Sequence, residues 1–188
     1  MRPNLYWEES MTRAVLRWNV FPRSRPTTHH QQLVLEVFTR HHPRIGTPSN
    51  GLSSTDVLAE VRAGLVEVGY EMEAGTRVSR PVLFGESDRP LKSYNVDGWH
   101  EESKTVIEIE AGQAVENNRF ALDVIKALSI QDARNLIIAV PASYFPERLK
   151  KAGKPPKKDF DEVAKVLDGL YSAGRVNLPL ESILVIGY

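Results

Sequence analysis

Apolar positions along the chain change period several times, and the changes mark out elements. Thr27 or Thr28 can cap a helix reaching about residue 41, with Leu33, Val34, Val37 and Phe38 on one face and Pro43 expected to end it. The stretch GTPSNGLSS reads as a linker. Ser54 then caps a second helix to about residue 68, where Leu58, Val61, Leu65 and Val68 recur at helical spacing while Glu60 and Glu67 lie toward another face, and Gly69 is a stop signal. A short strand is expected over residues 70–77, and residues 79–90 carry enough Pro, Gly and Asp to predict a loop. Two β-prone runs follow, YNVDGW at 94–99 and TVIEIE at 105–110. The polar turn between them is the signature of an antiparallel hairpin. In the second run Ile107 and Ile109 point to one face, and Val106, Glu108 and Glu110 to the other. After Gly112 an amphipathic helix is predicted to about residue 133, with Val115, Ala121, Val124, Ile125 and Leu128 apolar and Asn117, Asn118, Arg119, Asp123 and Lys126 polar. NLIIAVP at 135–141 is apolar without alternation, as a central strand covered on both faces must be. A helix over 159–173 and a strand over 183–188 complete a layered α/β domain with a central mixed sheet.

Charge divides the chain. Residues 1–50 hold Arg2, Arg13, Arg17, Arg23, Arg25, Arg40 and Arg44 against Glu8, Glu9 and Glu36, so they read as a basic helical appendage to a domain spanning 51–188. Formal net charge is zero, so any attraction to nucleic acid must come from local patches. One such patch is the segment carrying Arg148, Lys150, Lys151, Lys154, Lys157 and Lys158, suited to tracking phosphates. Absence of cysteine excludes disulfides and thiolate zinc sites. No stretch approaches the roughly 20 apolar residues of a membrane span, and the N-terminus lacks a signal pattern, so a soluble cytoplasmic chain without a membrane partner is expected.

The chemistry concentrates in the hairpin. Carboxylates at alternate positions of a strand among apolar neighbours must be solvated, paired or bound to a cation. Asp97 on the first strand can sit across from Glu108 on the second, converging with the main-chain carbonyl of Ile109. Oxygen-only ligation of this kind suits Mg²⁺, with Mn²⁺ a natural substitute. Such a metal would hold a phosphodiester oxygen and lower the pKa of a bound water.

VDGW, a short turn, TVIEIEAG and a long helix together resemble the core of PD-(D/E)xK nucleases. That family runs helix, three antiparallel strands, helix, strand; residues from about 52 to 140, roughly half the chain, offer the same order. The resemblance implies a restriction-endonuclease-like fold and metal-dependent cleavage of nucleic acid. Asp97 and Glu108 match the family's two metal-binding acids, and Glu110 falls where its lysine usually stands. Val96 occupies the position of the family's proline. The Glu-x-Glu form is similar to that of BamHI-type restriction endonucleases, in which the second acid is thought to act on the attacking water. Lys126 is then a candidate for the displaced positive charge. Glu60 could reach the centre from the first helix, and Gln113 and Asn118 could hold water or substrate beside it. The expectation is a Mg²⁺-dependent endodeoxyribonuclease of restriction or repair type acting on DNA, with RNA left open and a homodimer suited to cutting both strands.

Plainer readings stand beside each of these. The three acids can form the solvated face of an edge hairpin with Lys92 and Lys104 as counter-charges, Glu60 and Glu67 can be ordinary helix surface, and Gln113, Asn117 and Asn118 can serve capping and solvent contact. His29, His30, His41 and His42 do not suit a zinc site, because adjacent helix residues face apart. Trp7, Trp18 and Trp99 suit packing. A second function class is a catalytically inactive DNA-binding or assembly subunit that keeps the nuclease fold. A binder of phosphorylated small molecules is disfavoured by the lack of a Gly-rich phosphate loop.

Overall fold

The structure, a computed structural model, describes residues 16–46, 51–112, 114–115, 118–145 and 147–188. The first described element is strand β1 (Arg17–Phe21), followed by helix α1 (His29–Ile45) and helix α2 (Ser54–Glu67). Thr28 closes a capping box with Gln31 at the start of α1, and Ser53 does the same with Asp56 at the start of α2, satisfying the orphan amides of each first turn. Next come β2 (Tyr70–Met72), β3 (Val78–Phe84), β4 (Pro90–Val96), β5 (Gly98–His100) and β6 (Thr105–Ile109), followed by α3 (Arg119–Ser129) and β7 (Asn135–Val140). A short helix α4 (Glu147–Lys151), a longer α5 (Asp159–Ala173) and β8 (Ser182–Gly187) finish the chain.

The main sheet has six strands in the order β1-β8-β7-β6-β5-β2. Strands β6, β7 and β8 run parallel, joined by crossovers that carry α3 and then α4 and α5, whereas β1, β5 and β2 pair antiparallel at the two sides. The period-two pattern sorts the core. Val106, Leu136, Ile138, Ile183 and Val185 pack with Phe120 and Val124 of α3 and Phe160 and Val163 of α5. Ile107, Ile109, Ile137, Leu184 and Ile186 pack with Val34, Val37 and Phe38 of α1 and Val61 and Leu65 of α2. Each such aliphatic side chain, fully buried, stabilises by about 1.5–3 kcal/mol relative to exposure, so the central strands are the most firmly held part of the molecule. The fold is therefore mixed α/β, a mixed sheet with helices on both faces. Among the described residues no helix is long and apolar enough to cross a membrane.

Several expectations differ from what forms: Ser53 and not Ser54 caps α2, the strand expected over 70–77 ends at Met72, and the run 94–99 is divided at Asp97 between β4 and β5. Residues 1–50 do not stand apart from the domain over their described part: β1 is an edge strand of the main sheet, and α1 covers one of its faces. An apolar helix face and an unpaired β8 edge both demand a partner, and this segment supplies both. Pro43 does not end α1, which continues to Ile45. Residues 79–90 do not form a loop; β3 and β4 make a separate two-stranded ribbon with a 3₁₀ turn at its tip. Pro81 and Pro90 are tolerated because an isolated pair leaves one side of each strand unbonded, and the register slips between Pro81 and Leu83. The predicted helix over 113–133 is shorter, because Asn118 takes a left-handed conformation before it and Ile130 an extended one after it.

Candidate acidic centre

Asp97 occupies the single position between β4 and β5. Gly98 pairs with Ile107, so one residue further back Asp97 comes to lie across from Glu108, and its Oδ2 accepts a hydrogen bond from the Ile109 amide at 2.7 Å. Its own carbonyl accepts from the Glu73 amide at 2.8 Å. The turn into β5 is thus pinned on both sides. Glu108 sits inside β6 on the face covered by α3, only 5% exposed. The predicted alternation therefore holds, but it directs Glu108 into the protein rather than onto a solvated hairpin face.

Lys126 reaches down from α3 and donates to Glu108 Oε1 at 3.2 Å and to Asp123 Oδ1 at 2.7 Å. Asp123 lies one turn earlier on the same helix, is 2% exposed, and its Oδ2 is buried with no hydrogen-bond partner among the described residues. Glu110 follows β6. Its backbone amide donates to the Ala139 carbonyl at 2.9 Å, and its carbonyl accepts from the Tyr188 hydroxyl at 2.6 Å; its side chain is less buried, with Arg119 Nη1 at 3.8 Å.

Four carboxyls thus share one ammonium and one more distant guanidinium, in a setting poor in water. Burial pushes Asp97 up to about 6, the charges of Asp123 and Glu73 adding to the rise and the Ile109 amide opposing it. Glu110 is pushed to about 7 by burial and then by Asp123. Glu108 stands well above the ordinary carboxylate range, from burial and then from Asp123 and Asp97. Asp123 is also raised by burial, against the pull of Lys126. Burial alone would lower Lys126, but Glu108 and Asp123 outweigh it and hold the ammonium charged. Buried acids of this number hold protons near neutrality or take up a cation.

The donor set fits a hard divalent ion: the atoms are oxygens, the local charge is negative, and one buried oxygen of Asp123 is unsatisfied. Among the described residues no three acidic or histidine side chains converge as a metal-binding group. An ion at Asp97 and Glu108 would therefore depend on main-chain oxygen and water for the rest of its shell, as Mg²⁺ commonly does.

Other predicted residues are placed elsewhere. The Glu60 carboxylate is engaged by His41 at 3.0 Å and Arg44 at 2.8 Å, and that of Glu67 by Arg40 at 3.5 Å, so both face α1 and not the acids. Asn118 is exposed at the start of α3 and makes no side-chain cap; Gln113 lies outside the described residues, as do Asn117 and Trp7. Lys150, Lys151, Lys154 and Lys158 are exposed and Lys157 partly so, with Lys150 3.9 Å from Glu147 and the Lys157 backbone bridged to Tyr144. The α1 histidines do not gather: His30 lies with its ring tilted against His100, 4.0 Å between centroids, and bonds the Tyr70 hydroxyl at 2.9 Å, while His41 serves Glu60. Trp99 is buried in the core and Trp18 half-exposed.

Asp123 enters the centre without having stood out among the polar positions of its helix, although its spacing to Lys126, three residues along, puts both on one face. Arg119 and Glu73 carry no such signal, since only the folded sheet brings them near. Comparison with family models finds no match, and comparison with curated proteins finds none either.

Proposed function

We propose that this chain is a Mg²⁺-dependent endonuclease hydrolysing phosphodiester bonds of DNA, on a restriction-endonuclease-like core made by α2, β2, β5, β6, α3 and β7. The observation that carries this reading is the placement of Asp97, one residue before β5, beside the Glu108–Ile109 segment of β6, where it accepts from the Ile109 amide, with Glu110 one residue on and Lys126 in contact with Glu108. The helix, three antiparallel strands, helix and parallel strand in that chain order agree with it; the ribbon β3–β4 is then an insertion between the first two strands.

Mg²⁺ held by Asp97, Glu108 and the Ile109 carbonyl would polarise the phosphodiester and offset charge on the leaving oxygen. Glu110, titrating near pH 7, accepts a proton from the attacking water, because a base works best with a pKa close to the working pH. Lys126 supplies positive charge beside Glu108, and Asp123 positions it. The basic stretch from Lys150 to Lys158 lies at the surface for backbone contact.

A second reading has an observation of its own. Lys126 already neutralises part of the charge on Glu108 and Asp123 without a metal, which suits a nuclease fold retained as a DNA-binding or assembly subunit. Incubating the protein with supercoiled plasmid and with oligonucleotides in Mg²⁺, Mn²⁺ or EDTA separates the two. The nuclease reading expects metal-dependent cuts, abolished in Glu108→Ala and slowed about 10²- to 10⁴-fold in Glu110→Gln. Salt-sensitive binding with no cutting under any metal selects the second reading.

A further inference from the structure

One wall of the acidic centre opens into a cleft of about 170 Å³ whose lining includes Ser54, Thr55, Arg62, Glu73 and Asp97. Arg62 projects from α2 and is partly buried. Its Nε is sealed from solvent and has no hydrogen-bond partner among the described residues. Neighbouring arginines are engaged: Arg40 by Glu67, Arg44 by Glu60 and Arg80 by Glu71. Arg62 takes part in none of the ion pairs among the described residues. The terminal Nη groups, engaged by no ion pair or side-chain hydrogen bond among the described residues, are the donors a ligand in the cleft could reach.

The cleft has two chemically different walls. On one side are Arg62 and the hydroxyls of Ser54 and Thr55, all carried by α2. On the other are Asp97 and Glu73. A carboxylate ligand would be repelled by that second wall, and a neutral sugar could donate hydroxyls to it but would leave the guanidinium charge unmatched. A phosphodiester has oxygens for the guanidinium fork on one side and for a cation at Asp97 on the other.

We propose that this cleft is a phosphate-binding subsite of the acidic centre, in which Arg62 holds a backbone phosphate of the nucleic acid. The inference rests on the reading of the chain as one that acts on nucleic acid, and it adds the residue that fixes where the backbone enters. It also explains why an arginine is kept unpaired next to two acids: pairing it internally would close the cleft.

Equilibrium binding of a fluorescent DNA duplex to the full chain in EDTA, over a range of NaCl concentrations, tests it with Arg62→Ala and Arg62→Lys. Arg62→Ala is expected to weaken binding about tenfold at low salt and to reduce the slope of log K against log salt by about 0.9, one phosphate contact. Arg62→Lys keeps the slope and loses part of the affinity, since a point charge replaces the planar fork. Should Arg62→Ala unfold, Arg62→Gln, which keeps a polar side chain without the charge, is the deciding variant, with the same loss of slope expected. An unchanged slope in a folded Arg62→Ala protein overturns the subsite. Wild-type cutting with Mg²⁺ alongside that result leaves the nuclease reading standing alone, whereas an Arg62-dependent slope without any cutting keeps the subsite and removes the nuclease. A wild type that binds no duplex in EDTA and cuts none in Mg²⁺ overturns both.

Discussion

Asp97 carries its carboxyl at a cost. Its pKa in the folded protein, about 6, lies above the ordinary value of 3.8, so folding favours the protonated form. The penalty is absent below about pH 4, grows as pH rises through 6 and is complete above about 7, where two pKa units correspond to roughly 2–3 kcal/mol. Asp97→Asn removes the charge and keeps an oxygen for the Ile109 amide. In urea unfolding without divalent ions, the variant is expected to match the wild type near pH 4 and to exceed it increasingly up to pH 7. Added Mg²⁺ should stabilise the wild type at pH 7 and leave the Asp97→Asn variant unchanged; equal stability of the two proteins at all pH values would sink the claim that burial raises Asp97. His30 moves the opposite way: burial lowers it to about 4, so its cost appears as pH falls below 6.5 and cancels between the two chains, whereas Glu108 and Glu110, each raised in part by the Asp97 charge, are relieved in the variant and add to the difference. At this scale the sequence showed Asp97, Glu108, Glu110 and Lys126 as chemistry-bearing residues. It could not show that Asp123 joins them, since an acid in the middle of an amphipathic helix is ordinarily solvated until a neighbouring strand buries it.

Gly98 is where the element scale acts on that residue. A Cβ there would stand 2.7 Å from Ile107 Cγ2 and collide with the Met72 sulfur, because β5 is squeezed between β2 and β6 at the point where it presents Asp97 to Glu108. Gly98→Ala is expected to cost about 1–3 kcal/mol by overpacking, read as a lower urea midpoint with unchanged m-value, and, on the proposed nuclease reading, to slow cleavage by shifting Asp97. Wild-type stability would show that the strand can give way. The hairpin of β5 and β6, the strands β7 and β8 and the helices α2 and α5 were legible because their apolar periods are unambiguous and their buried faces continuous. The ribbon of β3 and β4 was not, because its prolines and glycine carry the composition of a loop, and only an isolated strand pair tolerates them. The start of α3 was also hidden: Asn is a residue type that tolerates the left-handed conformation, but the apolar period that marks the helix does not show that Asn118 adopts it.

Across the whole molecule, charge is arranged rather than accumulated. Net charge is zero, and the acidic centre would repel a polyanion, so a nucleic acid must be drawn in by cations that lie away from the acids. Surface pairing already occupies many of them: Arg17 with Asp161, Arg23 with Asp168, Lys165 with Glu162. The division of the chain into a basic appendage and a nuclease domain rests on this charge pattern, but charge says little about topology, and β1 and α1 are bound to the rest by pairing and packing that no charge count reveals. Lys151 and Lys154, exposed at and just beyond the end of α4, are the sharper test of the electrostatic half of that reading. If each neutralises one phosphate, replacing both by alanine lowers the salt slope of duplex binding by about 1.8. It should weaken binding similarly for every sequence, because backbone contacts carry no base information, and leave thermal stability untouched, as expected for exposed side chains. A slope that does not change places the path of the nucleic acid elsewhere, on the Arg62 side of the acidic centre.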